Sequence, residues 1–139
     1  MTLANSQSPS PIVMKYEIIS HKDPYILEVQ TKGVINNSDF KKMVTEMNQI
    51  VIDTGCTKLL YNNVGANVGD LSIEEIKIIA ADTQVFNHSL ADGKIASLMV
   101  NKLNYGIGRM WHSFMAPDMQ FDFQIFNKYR NAMNWLRND

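Results

Sequence analysis

The sequence predicts one α/β domain built on a single open, mostly parallel sheet that begins with an antiparallel hairpin. Three observations support this prediction. The N-terminal part alternates apolar and polar residues, as half-buried strands do. Helical and strand patterns then alternate through the middle of the chain, which is typical of parallel strands joined by right-handed crossovers. The last thirty-odd residues show a helix, a short strand and a closing amphipathic helix, so the predicted order is β-β-α-β-α-β-α-β-α.

The predicted hairpin lies near the start of the chain. Residues 14–18 alternate apolar and polar side chains, and residues 25–31 are a second predicted strand with Leu27 and Val29 on one face. The short turn at 21–24 between them contains a proline. Two such strands joined by a short connection are expected to pair antiparallel.

The first predicted helix follows the polar run at 36–39, whose short side chains can cap free backbone N–H groups. Its apolar residues have the spacing of one buried stripe. They are Phe40, Met43, Val44, Met47, Ile50 and Val51. Gly55 is suited to the left-handed position that ends a helix.

The second helix is predicted from its first turn. Ser72 and Glu75 have the spacing of a capping box, in which each side chain bonds a free backbone N–H. This helix follows a short buried strand at 58–61 and a polar loop at 62–70. Its inward residues are expected to be Ile73, Ile76, Ile79, Ala80 and Phe86.

The remaining elements complete the domain. Residues 95–100 are apolar on both faces, as expected for a central strand covered by helices on both sides. A helix at 104–115, a strand at 121–126 and a helix at 128–137 follow. Residues 12–139 therefore form one domain, and the Ser- and Pro-rich residues 1–11 are expected to be a disordered tail.

Composition argues against several classes of protein. A net charge of -1 disfavours a nucleic-acid groove. No apolar run approaches the roughly 20 residues that span a bilayer, so no membrane insertion is expected. The single Cys56 and three scattered histidines have no metal-ligand spacing, and no cofactor is expected. One cysteine and no signal peptide favour a cytoplasmic location.

From Tyr16 to Leu136 the chain resembles the SpoIIAA-like family of small bacterial proteins, which have a STAS/CRAL-TRIO-type fold. The resemblance rests on short pieces in a fixed order. After the hairpin they are Gly33-Val34-Ile35 with a polar cap, Lys58-Leu59-Leu60, Lys94-Ile95-Ala96, Gly108-Arg109-Met110, and Phe126 with the "Ala-x-x-Trp-Leu" helix of residues 132–136.

The resemblance implies a sheet with helices packed around it, and a role in binding. The better known STAS relatives are phosphorylatable switch proteins that bind a kinase or an anti-sigma partner. They carry an Asp-Ser pair in the loop before the second helix. This chain departs from that pattern, because residues 61–72 contain no Asp-Ser pair. Ser72 is the hydroxyl in this stretch, and it already has a capping role.

Ligands of open α/β sheets collect beyond the carboxyl ends of the parallel strands. The candidate rim for a ligand or partner is rich in amides and poor in ionisable groups. It consists of Asn62, Asn63, Asp70, Ser72, Lys102 and Arg109. Amides bind and orient but do not shuttle protons, and the alternative is that they simply form loops and caps. For Gly106 and Gly108, a phosphate-binding turn is less favoured than close packing of the helix on the sheet.

The predicted helix at 104–115 carries apolar groups around most of its circumference. A candidate apolar pocket or dimer face consists of Met110, Trp111, Phe114 and Met115. Such side chains can accept a second copy of the chain or an apolar ligand. A homodimer is the simpler explanation.

These observations predict a non-catalytic regulatory or ligand-binding module, homodimeric, with a possible protein partner. The alternative is a carrier of a small apolar or lipid-like ligand. An enzyme is not predicted, because the sequence offers no nucleophile–base pair and no metal-binding set.

Overall fold

A computed structural model describes residues 13–22 and 24–138. The predicted tail at 1–11 lies outside these residues. Five strands form one sheet in sequential order, with β1 and β2 antiparallel and the other neighbours parallel. The strands are β1 (Lys15–His21), β2 (Ile26–Val34), β3 (Lys58–Asn67), β4 (Lys94–Leu98) and β5 (Asp122–Phe126). The predicted α/β fold class is confirmed.

Helices cover both faces of this sheet. They are α1 (Asn37–Thr54), α2 (Ile73–Thr83), the short α3 (Phe86–Ser89), α4 (Lys102–Met115) and α5 (Tyr129–Arg137), and a 3-10 turn (Ala116–Asp118) follows α4. The first four helices contribute to the core on one face, here called the front face. The last helix, α5, packs on the other, the back face. None of the described helices is long and apolar enough to cross a membrane.

The front-face core is organised around Trp111 of α4. Its ring lies 6.1 Å from that of Phe40, 5.4 Å from that of Tyr61 and 5.0 Å from that of Phe123, in edge-to-face arrangements that aromatic rings prefer. Its indole Nε1–H donates to Thr83 Oγ1 at 3.2 Å. One side chain therefore joins α4 to α1, β3, β5 and α2.

The back-face core is smaller. Ala132, Met133 and Leu136 of α5 pack on a cluster that includes Ile26 and Leu60 of the sheet. Lys94 holds the C-terminal end of α5, because its Nζ donates to the carbonyl oxygens of Trp135 (2.9 Å) and Asn138 and lies 5.0 Å from the Trp135 ring centre.

The predicted helix ends are confirmed in atomic detail. Asn36 caps α1 by accepting from the Asp39 backbone N–H at 2.8 Å. Gly55 ends α1 with a φ of 71°, in the left-handed region where a side chain is unfavourable. Ser72 and Glu75 form the complete capping box of α2.

Several element boundaries differ from the prediction. β1 and β2 each extend three residues further than predicted, to His21 and Val34, and three more differences concern the elements near the candidate site. β3 continues to Asn67 instead of ending at Tyr61, because it pairs with the nine-residue β2 along its whole length. β4 ends at Leu98 and not at residue 100. α4 begins at Lys102, two residues earlier than predicted, because Asn101 caps it by accepting from the Asn104 backbone N–H.

The expected inward face of α2 is wrong at its first residue and its last. Ile73 is 55% exposed. Phe86 is buried, but it belongs to α3 because α2 ends at Thr83. The other three inward residues, Ile76, Ile79 and Ala80, are buried as predicted.

The two glycines of α4 have different surroundings. A Cβ on Gly108 would lie 2.6 Å from Met99 Sδ and 3.3 Å from Ile125 Cδ1, whereas a Cβ on Gly106 would have no neighbour within 4 Å. Close packing of the helix on the sheet therefore accounts for Gly108 and does not account for Gly106.

This contrast gives a matched pair of substitutions. We expect Gly106→Ala to stabilise the protein by about 0.5–1 kcal/mol, because alanine favours an exposed helix position. We expect Gly108→Ala to lose that gain, because the new Cβ would require the Met99 thioether and the Ile125 side chain to shift within a packed core. Urea denaturation measures both, and equal shifts in the same direction would contradict the packing argument.

Candidate functional site

The predicted rim residues do not form one group. Asn62 and Asn63 lie inside β3 and not in a loop, so their side chains point to opposite faces of the sheet. Asp70 and Ser72 are exposed beyond the carboxyl end of β3, and Lys102 and Arg109 are exposed on α4. The expectation that the two asparagines belong to a loop at the rim is therefore corrected.

Asn63 has buried polar partners on the front face. Its Oδ1 accepts from Thr31 Oγ1 at 2.6 Å, and its Nδ2 donates to Ser97 Oγ at 3.4 Å. All three residues are buried. A buried polar group is costly without a hydrogen-bond partner. These three side chains therefore serve as hydrogen-bond partners for one another across three adjacent strands.

Asn62 belongs to a cluster around Glu28 on the back face, which the sequence analysis missed. Glu28 is only 1% exposed. Its Oε1 accepts from Tyr129 Oη at 3.0 Å and lies 2.6 Å from His21 Nε2. Its Oε2 accepts from Asn62 Nδ2 at 3.0 Å and from Gln30 Nε2 at 3.2 Å. We call these five residues the Glu28 cluster.

The electrostatics of this cluster keep the carboxyl ionised. Burial raises the pKa of Glu28, but the hydrogen bonds from Asn62, His21, Gln30 and Tyr129 lower it more, so the pKa lies below its ordinary value. Burial and the bond to Glu28 raise the pKa of the Tyr129 hydroxyl. Each carboxylate oxygen of Glu28 has two hydrogen-bond partners within the protein, so it offers a ligand no free acceptor. The same bonds join β1, β2, β3 and α5.

Exposed apolar side chains lie just before α4 and in its first turn, at the carboxyl ends of β4 and β5. Leu103 is 62% exposed and Val100 is 48% exposed. A groove of about 250 Å³ at this edge is lined by Val100, Asn101, Lys102, Tyr105 and Asn127. We call these five residues together with Leu103 the carboxyl-edge surface.

Leu103 also reaches the loop that precedes α2. A Cβ on Gly69 would lie 2.5 Å from Leu103 Cδ2, so the leucine packs directly on the backbone of that loop. Asp70, Ser72 and the exposed Ile73 follow Gly69 in the chain. The carboxyl-edge surface is therefore continuous with the start of α2.

The predicted apolar set on α4 divides between the core and its margin. Trp111 and Met115 are buried, whereas Met110 and Phe114 are half-buried and pack against the core. Lys77 Nζ lies 5.7 Å from the centre of the Phe114 ring. Trp111 and Met115 thus belong to the core of one chain. The assignment of this set to an apolar pocket or dimer face stays a prediction.

Trp111 also lines a small apolar cavity between the sheet and the front-face helices. Its volume is about 20 Å³, which is space for a single water molecule. Asn63 is its polar lining residue, and apolar side chains that include Phe40, Leu71, Ile76 and Met99 make up the rest.

The described residues contain neither a metal-type cluster of side chains nor an exposed thiol. Among them, no three His, Cys, Asp or Glu side chains come together as a metal site would need. Cys56 is buried, and burial raises the pKa of its thiol, which disfavours the reactive thiolate.

Comparisons with solved structures show that the chain has a SpoIIAA-like fold. An uncharacterised protein of the DUF3478 family with this fold, from Shewanella loihica PV-4, superposes with a TM-score of 0.61 at 15% identity, over 93% of this chain and 97% of that one. An anti-sigma factor antagonist from Mycobacterium paratuberculosis superposes with a TM-score of 0.56 at 13% identity, over 91% and 96%. No family model and no curated protein matches the sequence.

The Glu28 cluster predicts a defined loss of stability. We expect Glu28→Gln to lower the free energy of unfolding at pH 7 by about 2 kcal/mol, because the amide cannot accept all four donors. The folded-state pKa is depressed, so this contribution is present above the unfolded-state pKa of about 4.3 and is lost as the pH falls through the folded-state pKa.

Urea denaturation between pH 3 and pH 7 measures this effect. Glu17→Gln is the matched control, because Glu17 is exposed on β1. If the two variants lose the same stability at pH 7, or if the deficit of Glu28→Gln does not shrink in acid, the ionised carboxylate is not what stabilises the cluster.

Proposed function

We propose that the protein is a non-catalytic regulatory module that binds a protein partner through the carboxyl-edge surface. The observation that carries this proposal is the exposure of apolar side chains at the start of α4, beside a groove. Val100 and Tyr105 line the groove where two strands end, and Leu103 is exposed on the same turn of α4, towards Gly69. Exposed apolar groups gathered in one place are typical of interaction sites.

The size of the groove supports a protein partner over a free small molecule. At about 250 Å³ it is smaller than the roughly 300–1,000 Å³ of sites that enclose a drug-sized ligand. The groove has the size to accept one anchoring side chain of a partner protein, with the flat surface around the groove making the remaining contacts.

The shared fold supports the same class of function. One structural neighbour is named as an anti-sigma factor antagonist, a protein that acts on other proteins. The start of α2, where STAS relatives carry the Asp-Ser pair, adjoins the carboxyl-edge surface here through the contact of Leu103 with Gly69. A homodimer and a cytoplasmic location stay predictions.

The alternative, a carrier of an apolar or lipid-like ligand, has less support. The apolar cavity that Trp111 lines has space for one water molecule. A lipid chain would need the front-face helices to separate, which would break the ring contacts of Trp111.

A pair of substitutions tests the proposed function. We expect Leu103→Asp to abolish recovery of a partner when the tagged protein is cross-linked in its own cells and purified. Ile52→Asp is the control, because Ile52 is 59% exposed on α1 and thus similar in chemistry and exposure. Mass spectrometry of the cross-linked products identifies a protein that the wild type and Ile52→Asp retain.

The proposed function fails if all three proteins give the same cross-linked products. It also fails if native mass spectrometry of the wild type shows a bound apolar molecule that denaturation releases. That second result would establish the carrier.

A further inference from the structure

We infer that the partner segment which occupies the carboxyl-edge surface is acidic and carries an apolar anchor side chain. This inference rests on the proposed function and specifies the chemistry of its partner. The stretches 93–117 and 123–138, which contain β4, the end of β5 and the starts of α4 and α5, have no Asp or Glu.

Cations are gathered at this part of the molecule. Lys102 and Arg109 lie two turns apart on the exposed side of α4, and Tyr105 lies between them. Lys128 and Arg130 flank the first residue of α5, directly after Asn127 of the groove. All four cations are exposed.

These cations have no counter-ion of their own. Within residues 13–22 and 24–138, neither Lys102, Arg109, Lys128 nor Arg130 makes an ion pair. The N-terminal ends of α4 and α5 add partial positive charge of the same sign. A partner that brings carboxylates would meet unneutralised positive charge here.

The charge changes sign along the same edge of the sheet. Asp70, Glu74 and Glu75 lie beyond the end of β3, at the start of α2. The acidic segment of the partner would therefore bind on the β4–β5 side, away from these carboxylates. This separation of positive and negative charge would orient the partner.

Apolar exposure distinguishes an acidic peptide from a nucleic acid. Val100 and Leu103 are exposed among the cations, and aliphatic side chains do not bind phosphates. They are suited to bury an aliphatic or aromatic anchor, with Tyr105 and Arg109 as residue types that often dominate interface energies. The overall charge of -1 also disfavours a nucleic-acid surface.

The test is a titration of the full ¹⁵N-labelled chain, followed by NMR. The probe is the peptide Glu-Glu-Leu-Glu-Glu-Phe-Glu-Glu-Leu-Glu, and the comparison is the same peptide with every Glu replaced by Lys. We expect the acidic peptide to shift the amide signals of Val100, Tyr105 and Asn127. Binding should weaken with added salt, because exposed charges are screened.

Charge reversal then locates the site. We expect the Lys102→Glu/Lys128→Glu double variant to bind the acidic peptide at least roughly tenfold more weakly, because like charges would face each other. Lys41→Glu/Lys42→Glu is the control, since it makes the same change of net charge on the exposed side of α1. It should leave the affinity unchanged.

The inference is overturned if the two peptides bind equally, if both double variants weaken binding equally, or if a single-stranded RNA of equal charge binds more tightly than the acidic peptide. If a partner depends on Leu103 but is indifferent to charge reversal at 102 and 128, the proposed function stands and the acidic partner is wrong. If the peptide binds as expected and no partner depends on Leu103, the surface chemistry holds without the proposed function.

Discussion

The burial of the Trp111 indole is the contact on which the rest of the structure depends. Phe40, Tyr61 and Phe123 surround its ring, and Thr83 accepts its N–H. Replacing a core tryptophan by alanine costs about 3–5 kcal/mol, and a domain has about 5–15 kcal/mol in all. Because these partners come from α1, β3, β5 and α2, this one side chain fixes three long helices on the front face.

The same contact determines what α4 presents to solvent. Trp111 holds the helix on the sheet, and Gly108, one turn earlier, lets its backbone approach Met99. The preceding turn then extends past the ends of β4 and β5, where Leu103 has no sheet beneath it and Tyr105 lines the groove. The carboxyl-edge surface is thus a consequence of core packing, because the position of Trp111 along α4 determines how many residues of the helix extend beyond the ends of β4 and β5.

Sequence analysis predicted those features whose partners are neighbours in the chain. The caps at Asn36 and Gly55 and the box at the start of α2 are satisfied within four residues, so local spacing reveals them. The Glu28 cluster could not be predicted in this way, because Asn62 is 34 residues away and Tyr129 is 101 residues away. The length of β3 was missed for a related reason, since its second half is a strand through pairing with β2.

Glu28 on the back face and Leu103 at the carboxyl edge differ in how much interaction free energy they leave for a partner. Glu28 has four hydrogen-bond partners within the protein, so its interactions stabilise the fold and are not available to a partner. Leu103 instead is 62% exposed, and full burial of such a side chain is worth about 1.5–3 kcal/mol. That free energy is still available for association. Lys102 and Lys128 make no ion pair with any of the described residues. They add selectivity, because they favour a partner of opposite charge and disfavour a second copy that presents the same cations.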